Sequence, residues 1–158
     1  MSTAPPLDHP SPAPLPDESA CPGVGAISES VVVHASAGRV WRAIADPDAR
    51  LRWWSYLVLE AVAGSRWEEH WTLDGARRVT SGTVLVVHPR ELLRLTWADD
   101  DWPAATEVDV VLEDRGARTT VRVVHRGWHE LPDGAERRRA HVTGWRHHMR
   151  NLRTTLER

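Results

Sequence analysis

The sequence predicts an α+β fold in which a curved antiparallel sheet of about seven strands is wrapped on a long C-terminal helix. Three observations indicate this fold. A β-branched segment opens the folded region, six segments of two-residue hydrophobic periodicity follow, and a stripe of helical periodicity ends the chain. Because every apolar face must be buried against another element, the helix should lie across one face of the sheet.

Chain length and composition favour a single folded domain. The 158 residues suffice for one hydrophobic core. Seven of the eleven prolines fall in residues 1–25, a composition that buries too little apolar area to offset the entropy lost on ordering. We therefore assign residues 1–25 to a disordered Pro-rich tail and residues 26–158 to the domain. Cys21 is the single cysteine, so no intrachain disulfide can form, which suits a cytoplasmic protein.

The charge pattern excludes several classes of partner. The 20 basic residues, all arginine, are balanced by 22 acidic ones, and the net charge of −2 leaves no basic field for nucleic acid. No apolar run is long enough for membrane insertion.

The sequence lacks a phosphate-binding loop, a dinucleotide fingerprint, a nucleophile elbow and a zinc-protease motif, so we expect neither a metal nor a cofactor. Both a monomer and a homodimer are compatible with the sequence.

The first strand and two short helices are predicted before residue 55. The β-branched segment Ile27 to His34 indicates the strand. Ser36 has the N-cap position of the first helix, which must end before the following Asp-Pro pair. The apolar stripe of this helix comprises Val40, Trp41, Ile44 and Ala45. Asp46 as a cap and Pro47 in the first turn start a second helix, which we expect to reach Trp54.

Six further strands are predicted in succession, separated by turn-forming stretches. They are SYLVLEAVA, RWEEHWTL, RVTSGTVLVVH, ELLRLTW, TEVDVVLED and ARTTVRVVHRGW. Since side chains alternate across a strand, one set should face the covered side of the sheet. This set comprises Trp67, Glu69, Trp71, Val108, Val110, Leu112, Val121, Val123 and His125. Asp109 should then face outward.

The last helix is predicted to begin near Gly134 and to run close to the C-terminus. Asp133 and Glu136 have capping-box spacing, with Asp in place of Ser or Thr. The buried stripe comprises His141, Trp145, Met149, Leu152 and Leu156. Gly144 stands in the helix interior, where Gly costs about 1 kcal/mol relative to Ala. We expect it to allow close approach or slight bending of the helix over the sheet, with Trp145 pointing into the space between them.

Several motifs together resemble a known family. They are Val40-Trp41, Asp46-Pro47 followed by Trp53-Trp54, the group Gly82, Val84, Pro89 and Leu92, then His125 with Gly127, and Gly144-Trp145. The region Ile27 to Arg158 is thereby similar to the activator of heat-shock-protein-90 ATPase homologue family, within the SRPBCC superfamily of START-like helix-grip domains. The single Gly64 departs from the paired glycines of many relatives. The resemblance implies a ligand cavity between the sheet and the C-terminal helix.

The tryptophan content favours an aromatic binding site in that cavity. Nine Trp residues occur with one Tyr and no Phe. The expected ligand-binding residues are Trp53, Trp54, Trp67, Trp71, Trp97, Val110, Val123, His125, His141, Trp145 and Met149. An apolar cavity with a few polar groups suits a small hydrophobic, aromatic metabolite. Relatives include self-resistance proteins for cytotoxic natural products, so the resemblance implies a carrier or a sequestration protein.

Two other functions are compatible with the same sequence. A polyketide cyclase or dehydratase would use His125, Glu69 and His141 as acid–base groups around a flexible substrate. Against this, a core histidine with a hydrogen-bond partner is the more common role for a position such as His125. The family name implies a third function, a co-chaperone that stimulates a heat-shock-protein-90 ATPase.

The remaining aromatic and charged groups are interpreted as surface features. Neighbouring helical residues differ by about 100° in direction, so His147 and His148 cannot face the same way, and both should be partly solvated. Trp102 and Trp128 should act as loop lids or exposed anchors. The run Arg137 to Arg139 is expected to form a solvated helical face, and contact with the Asp99 to Asp101 loop or with a ligand carboxylate is the alternative.

Overall fold

The fold is described by a computed structural model for residues 24–158. The elements in chain order are β1 (Ile27–Val33), α1 (Ala37–Ala45), α2 (Pro47–Arg50), β2 (Leu57–Val58), β3 (Arg66–Leu73), β4 (Ala76–His88), β5 (Leu92–Asp99), β6 (Thr106–Asp114), β7 (Thr119–Arg126), a 3-10 turn (Trp128–Glu130) and α3 (Gly134–Leu156). The tail predicted for residues 1–25 lies outside the described residues up to residue 23.

The seven strands form one antiparallel sheet in the order β1-β7-β6-β5-β4-β3-β2. This arrangement, with α3 over one face and two short helices after β1, confirms the predicted α+β fold. The strand predicted for residues 55–63 is much shorter, because only Leu57 and Val58 pair with β3. The Leu59 carbonyl accepts a hydrogen bond of 2.7 Å from the Arg50 side chain instead of pairing with a strand.

Both short helices begin at the predicted caps. Ser36 Oγ accepts from the Arg39 amide, and Asp46 Oδ1 accepts from the Asp48 amide at 2.9 Å. The second helix ends at Arg50, before the predicted Trp54. Arg50 is only 3% exposed, and its guanidinium donates inward to the Ile44 carbonyl at 2.8 Å. The buried guanidinium thus joins the two short helices to the segment that follows them.

Helix α3 begins at the predicted residue, but its cap is different. Asp133 has a left-handed backbone with φ 56°, and within the described part of the chain its side chain makes no capping hydrogen bond. The predicted capping box is therefore wrong. The Asp133 carbonyl accepts from the Glu136 and Arg137 amides, each at 3.0 Å. A Cβ on Gly134 would lie 2.0 Å from the Trp128 carbonyl oxygen, so close packing on the 3-10 turn requires glycine there.

Trp102 and Trp128 were predicted to be loop lids or exposed anchors, and the exposed alternative is wrong. Trp128 is fully buried and Trp102 is 9% exposed. Trp128 Nε1 donates to the His125 carbonyl at 2.9 Å, and both indoles contact the His141 ring, with centroids 5.1 and 5.2 Å away. The acidic loop after β5 folds inward at Trp102. The charged composition of the loop was therefore a poor guide to the exposure of this indole.

Asp109 faces outward, as predicted, yet it is only 5% exposed. The Arg94 and Arg126 side chains cover its carboxylate, with N–O distances of 2.7 and 2.9 Å. The outer face of the sheet thus buries a charge by pairing it, while the inner face and α3 enclose the apolar core. None of the helices between residues 24 and 158 has the length and apolarity needed to cross a bilayer.

Candidate ligand-binding site

Two cavities lie between the inner face of the sheet and α3. They share a wall made of Trp97, Trp145 and His148. One, here named the closed cavity, has a volume of about 40 Å³, and the other, the open pocket, has about 290 Å³. A volume of about 40 Å³ holds little more than a water molecule. The open pocket is near the lower limit for small-molecule sites.

Tryptophan and aliphatic side chains fill most of the closed end. Its lining residues are Ile44, Arg50, Trp53, Trp54, Leu57, Leu59, Leu93, Leu95, Trp97, Val110, Val121, Val123, Trp145, His148, Met149 and Leu152. The Trp54 ring lies 5.8 Å from that of Trp145 and 6.4 Å from that of Trp97. These contacts place indoles where the family resemblance implied a ligand.

The open pocket combines aromatic walls with acidic and imidazole groups. Strands β3, β4 and β5 and helix α3 supply its lining residues, which are Glu69, Trp71, Thr80, Trp97, Asp99, Ala140, His141, Gly144, Trp145 and His148. The small residues Ala140 and Gly144 of α3 leave open the space that larger side chains fill farther along the helix. An indole or a carboxylate therefore lines most of the sheet side of the pocket.

A chain of hydrogen bonds fixes the polar groups on the sheet side. Trp71 Nε1 donates to Thr80 Oγ1 at 2.9 Å, and the Thr80 hydroxyl donates to Asp99 Oδ1 at 2.5 Å. Glu69 Oε1 accepts from Trp54 Nε1 at 3.1 Å. Each carboxylate is thus oriented by an indole, directly by Trp54 for Glu69 and through the Thr80 hydroxyl by Trp71 for Asp99.

Burial shifts the protonation equilibria of the pocket. It raises the pKa of the Glu69 carboxyl against the lowering effect of the Trp54 hydrogen bond, and the nearby charge of Asp99 adds to the increase. Burial lowers the pKa of His141, and it lowers that of His148 to about 4, with His147 contributing to the latter. At neutral pH His148 is therefore uncharged.

His125 has a complete set of hydrogen bonds and is fully buried. The Thr106 hydroxyl donates to the Trp97 carbonyl at 2.7 Å, so it must accept from His125 Nε2, also at 2.7 Å. That tautomer leaves Nδ1 to accept from Trp145 Nε1 at 3.1 Å. Burial lowers the pKa of His125 well below its ordinary value, with His141 and Arg126 adding to the decrease. The neutral ring therefore positions Trp145 and lies away from both cavities.

The predicted binding residues divide between the two cavities. Those lining the closed cavity are Trp53, Trp54, Trp97, Val110, Val123, Trp145 and Met149. Those lining the open pocket are Trp71, Trp97, His141 and Trp145, together with the acid–base candidate Glu69. Trp67 and His125 line neither of the two. Trp67 instead packs on Trp97, with ring centroids 4.8 Å apart, and donates to the Thr96 carbonyl.

Sequence reasoning missed five residues of the open pocket, namely Thr80, Asp99, Ala140, Gly144 and His148. His148 is partly exposed, as expected, but its ring also stacks on Trp54, with centroids 3.8 Å apart. Its position three residues after Trp145 was the signal, because that spacing puts both on one helical face. Of the two roles expected for Gly144, close approach is wrong, because an added Cβ there would meet no heavy atom within 4 Å.

The sheet, the single long helix across it and the pocket between them define a helix-grip domain. A model of the family described as activator of Hsp90 ATPase homolog 1-like protein matches residues 34–157. The chain belongs to this family. No curated protein matches it closely enough to count as a relative.

Solved structures support the fold assignment. A protein from Mesorhizobium loti is 22% identical, with 84% of this chain and 96% of that chain covered and a TM-score of 0.70. DynU16, a protein in the dynemicin biosynthetic locus, has 22% identity and a TM-score of 0.70 over 84% of this chain but only 47% of its own. The Aha1 dimer from Colwellia psychrerythraea has 24% identity and a TM-score of 0.66, with 85% of this chain and 97% of that chain covered. At these identities the likeness establishes the fold.

Proposed function

We propose that this protein binds a small aromatic metabolite in the open pocket between the sheet and α3. One observation carries the proposal. A space of about 290 Å³ is walled by the indoles of Trp71, Trp97 and Trp145, with oriented polar groups beside them. Sites for small molecules commonly combine aromatic surface with a few placed polar groups. Of these three indoles, Trp97 and Trp145 belong to the buried core and Trp71 does not.

We further propose that binding serves transport or sequestration of a natural product, as a carrier or a self-resistance protein. The presence of DynU16 in a biosynthetic locus for a natural product supports this role. The volume of the open pocket suits one aromatic group of such a compound. The rest of a larger ligand would extend out of the pocket.

Ligand titration followed by intrinsic Trp fluorescence tests the proposal, with native mass spectrometry to detect a copurified ligand. A panel of aromatic and polyketide-like compounds is titrated into wild type, Trp71→Leu and Met149→Leu. We expect Trp71→Leu to weaken binding at least about tenfold through loss of indole contact. Met149→Leu alters the closed cavity with little volume change and should leave affinity within about twofold. Equal losses in both variants, or none in either, would contradict the site.

A second candidate function is acid–base catalysis in the same pocket. It is favoured by the presence of Glu69, whose carboxyl pKa is raised by burial, together with the imidazole of His141. A carboxyl that titrates nearer to neutrality can exchange a proton with a bound polyketide-like substrate. In an enzyme of this kind, Glu69→Gln would abolish product formation, detected by mass spectrometry, while leaving ligand binding in place. Undiminished turnover would exclude the role of Glu69.

A further inference from the structure

We propose that the open pocket selects ligands that carry a positively charged amino group, an inference that rests on the proposed binding function. Three indoles and two carboxylates, those of Glu69 and Asp99, line the pocket, and the described residues of its wall include no arginine. Indole faces attract cations, and the attraction increases where water is displaced. This lining is suited to a substituted ammonium attached to an aromatic group.

The carboxylates have acceptor capacity for such a group. Among the described residues, one oxygen of each is used, Oδ1 of Asp99 by Thr80 and Oε1 of Glu69 by Trp54. The second oxygen of each carboxylate remains for an N–H or a methylated ammonium of the ligand. Because Thr80 and Trp54 are held by the sheet and by α3 contacts, the acceptors are oriented before the ligand arrives.

Two arginines, Arg78 and Arg137, pack on tryptophan rings and pair with carboxylates that do not line the pocket. Arg78 lies against the Trp71 ring, with Cζ 5.4 Å from its centroid, and its guanidinium contacts Asp100 and Asp101 at 2.7 and 2.8 Å. Arg137 packs on the Trp102 ring and lies 3.7 Å from Asp101. Neither arginine side chain lines the pocket. Both pair with carboxylates of the loop after β5, at Asp100 or Asp101, and not with Asp99.

The imidazoles do not offset the negative charge. His148 has a pKa of about 4, and burial lowers the pKa of His141, so neither imidazole adds a positive charge to the pocket at neutral pH. An anionic ligand would meet Glu69 and Asp99 without a pairing cation. The pocket therefore discriminates by charge as well as by shape.

An isosteric pair of probes tests the inference. Benzyltrimethylammonium and neopentylbenzene have the same shape and differ in one atom, N⁺ for C. Both are titrated into the full chain by fluorescence and calorimetry, with benzoate as the anionic probe. We expect the cation to bind at least about tenfold more tightly than the neutral isostere, and benzoate to bind most weakly. Equal affinity for cation and isostere would overturn the inference and leave the proposed function standing.

Charge-removing variants locate the effect. Asp99→Asn and Glu69→Gln should each weaken binding of the cation about five- to tenfold and leave the neutral isostere unchanged. Glu68→Gln is the matched control, because Glu68 is on the opposite face of the same strand, and it should change affinity less than about twofold. An equal loss in Glu68→Gln would overturn the inference, since it would indicate a general field. Failure of both probes to bind would overturn it too, and the aromatic panel with Trp71→Leu would then judge the proposed function separately.

Discussion

The two ends of the space between the sheet and α3 have similar aromatic content but different packing. At the closed end, Trp54 and Met149 pack so tightly that about 40 Å³ remains. At the open end, Ala140 and Gly144 face Thr80 across about 290 Å³. The difference shows that aromatic residues alone do not make a binding site in this fold. The small residues of the helix decide where the space remains.

His148 and the two indoles beside it separate the two ends. The His148 ring stacks on Trp54 and borders both cavities, and its Nδ1 has no hydrogen-bond partner among the described residues. Trp97 Nε1 is buried in the same way without a partner in residues 24–158. Unpaired buried polar atoms are uncommon in folded proteins. Both groups belong to the wall that a ligand in the open pocket would contact.

The largest expected effect comes from the inner face of β4, next to Thr80 of the open pocket. The β4–β5 ladder is interrupted between Ser81 and Val84. At this interruption the Thr96 carbonyl accepts a hydrogen bond from the Trp67 indole. A Cβ on Gly82 would lie 1.9 Å from that carbonyl oxygen. We expect Gly82→Ala to lower the free energy of unfolding by about 3 kcal/mol or more, measured by urea denaturation. A loss below about 1 kcal/mol would contradict this packing.

The dividing wall should make stability depend on pH. The pKa of His148 is about 4 in the folded protein, below its ordinary 6.5, so the folded state binds fewer protons than the unfolded chain. The associated stability is fully present above about pH 6.5 and falls as the pH decreases towards 4, by about 3 kcal/mol in total. His148→Phe should keep the stacking on Trp54 and reduce this slope. His147→Phe is the control, and a similar reduction there would refute the assignment to His148.

The smallest expected effect comes from the open end. Gly144→Ala should raise the free energy of unfolding by about 0.5 to 1 kcal/mol, since Ala favours the helix and its Cβ meets open space. Thermal and urea unfolding measure this gain. Gly144→Leu should keep the fold and weaken ligand binding, because the longer side chain enters the pocket. A destabilised Gly144→Ala would show that the helix packs closely at this point after all.

Much of the fold was predictable because local patterns encode it. Strands β3 and β6 have the predicted bounds, and Ser36 and Asp46 cap the predicted helices. The errors arose where a distant group changed a local preference. The second strand ends early because the Leu59 carbonyl accepts a hydrogen bond from the Arg50 side chain. Trp102 is buried although it follows three aspartates.

The sequence by itself determined the order of the elements, the inward face of each strand and the membership of the family. Hydrophobic periodicity of two residues in strands and 3.6 residues in helices is a local property of the sequence. Each apolar side chain that follows it adds to the secondary-structure signal. Tertiary structure alone decided which aromatic residues fill the core and which line an open pocket. A cavity is the small difference between the space that the backbones enclose and the volume of side chains brought together from β3, β4, β5 and α3. That difference depends on the packing of residues far apart in the chain, and no local pattern records it.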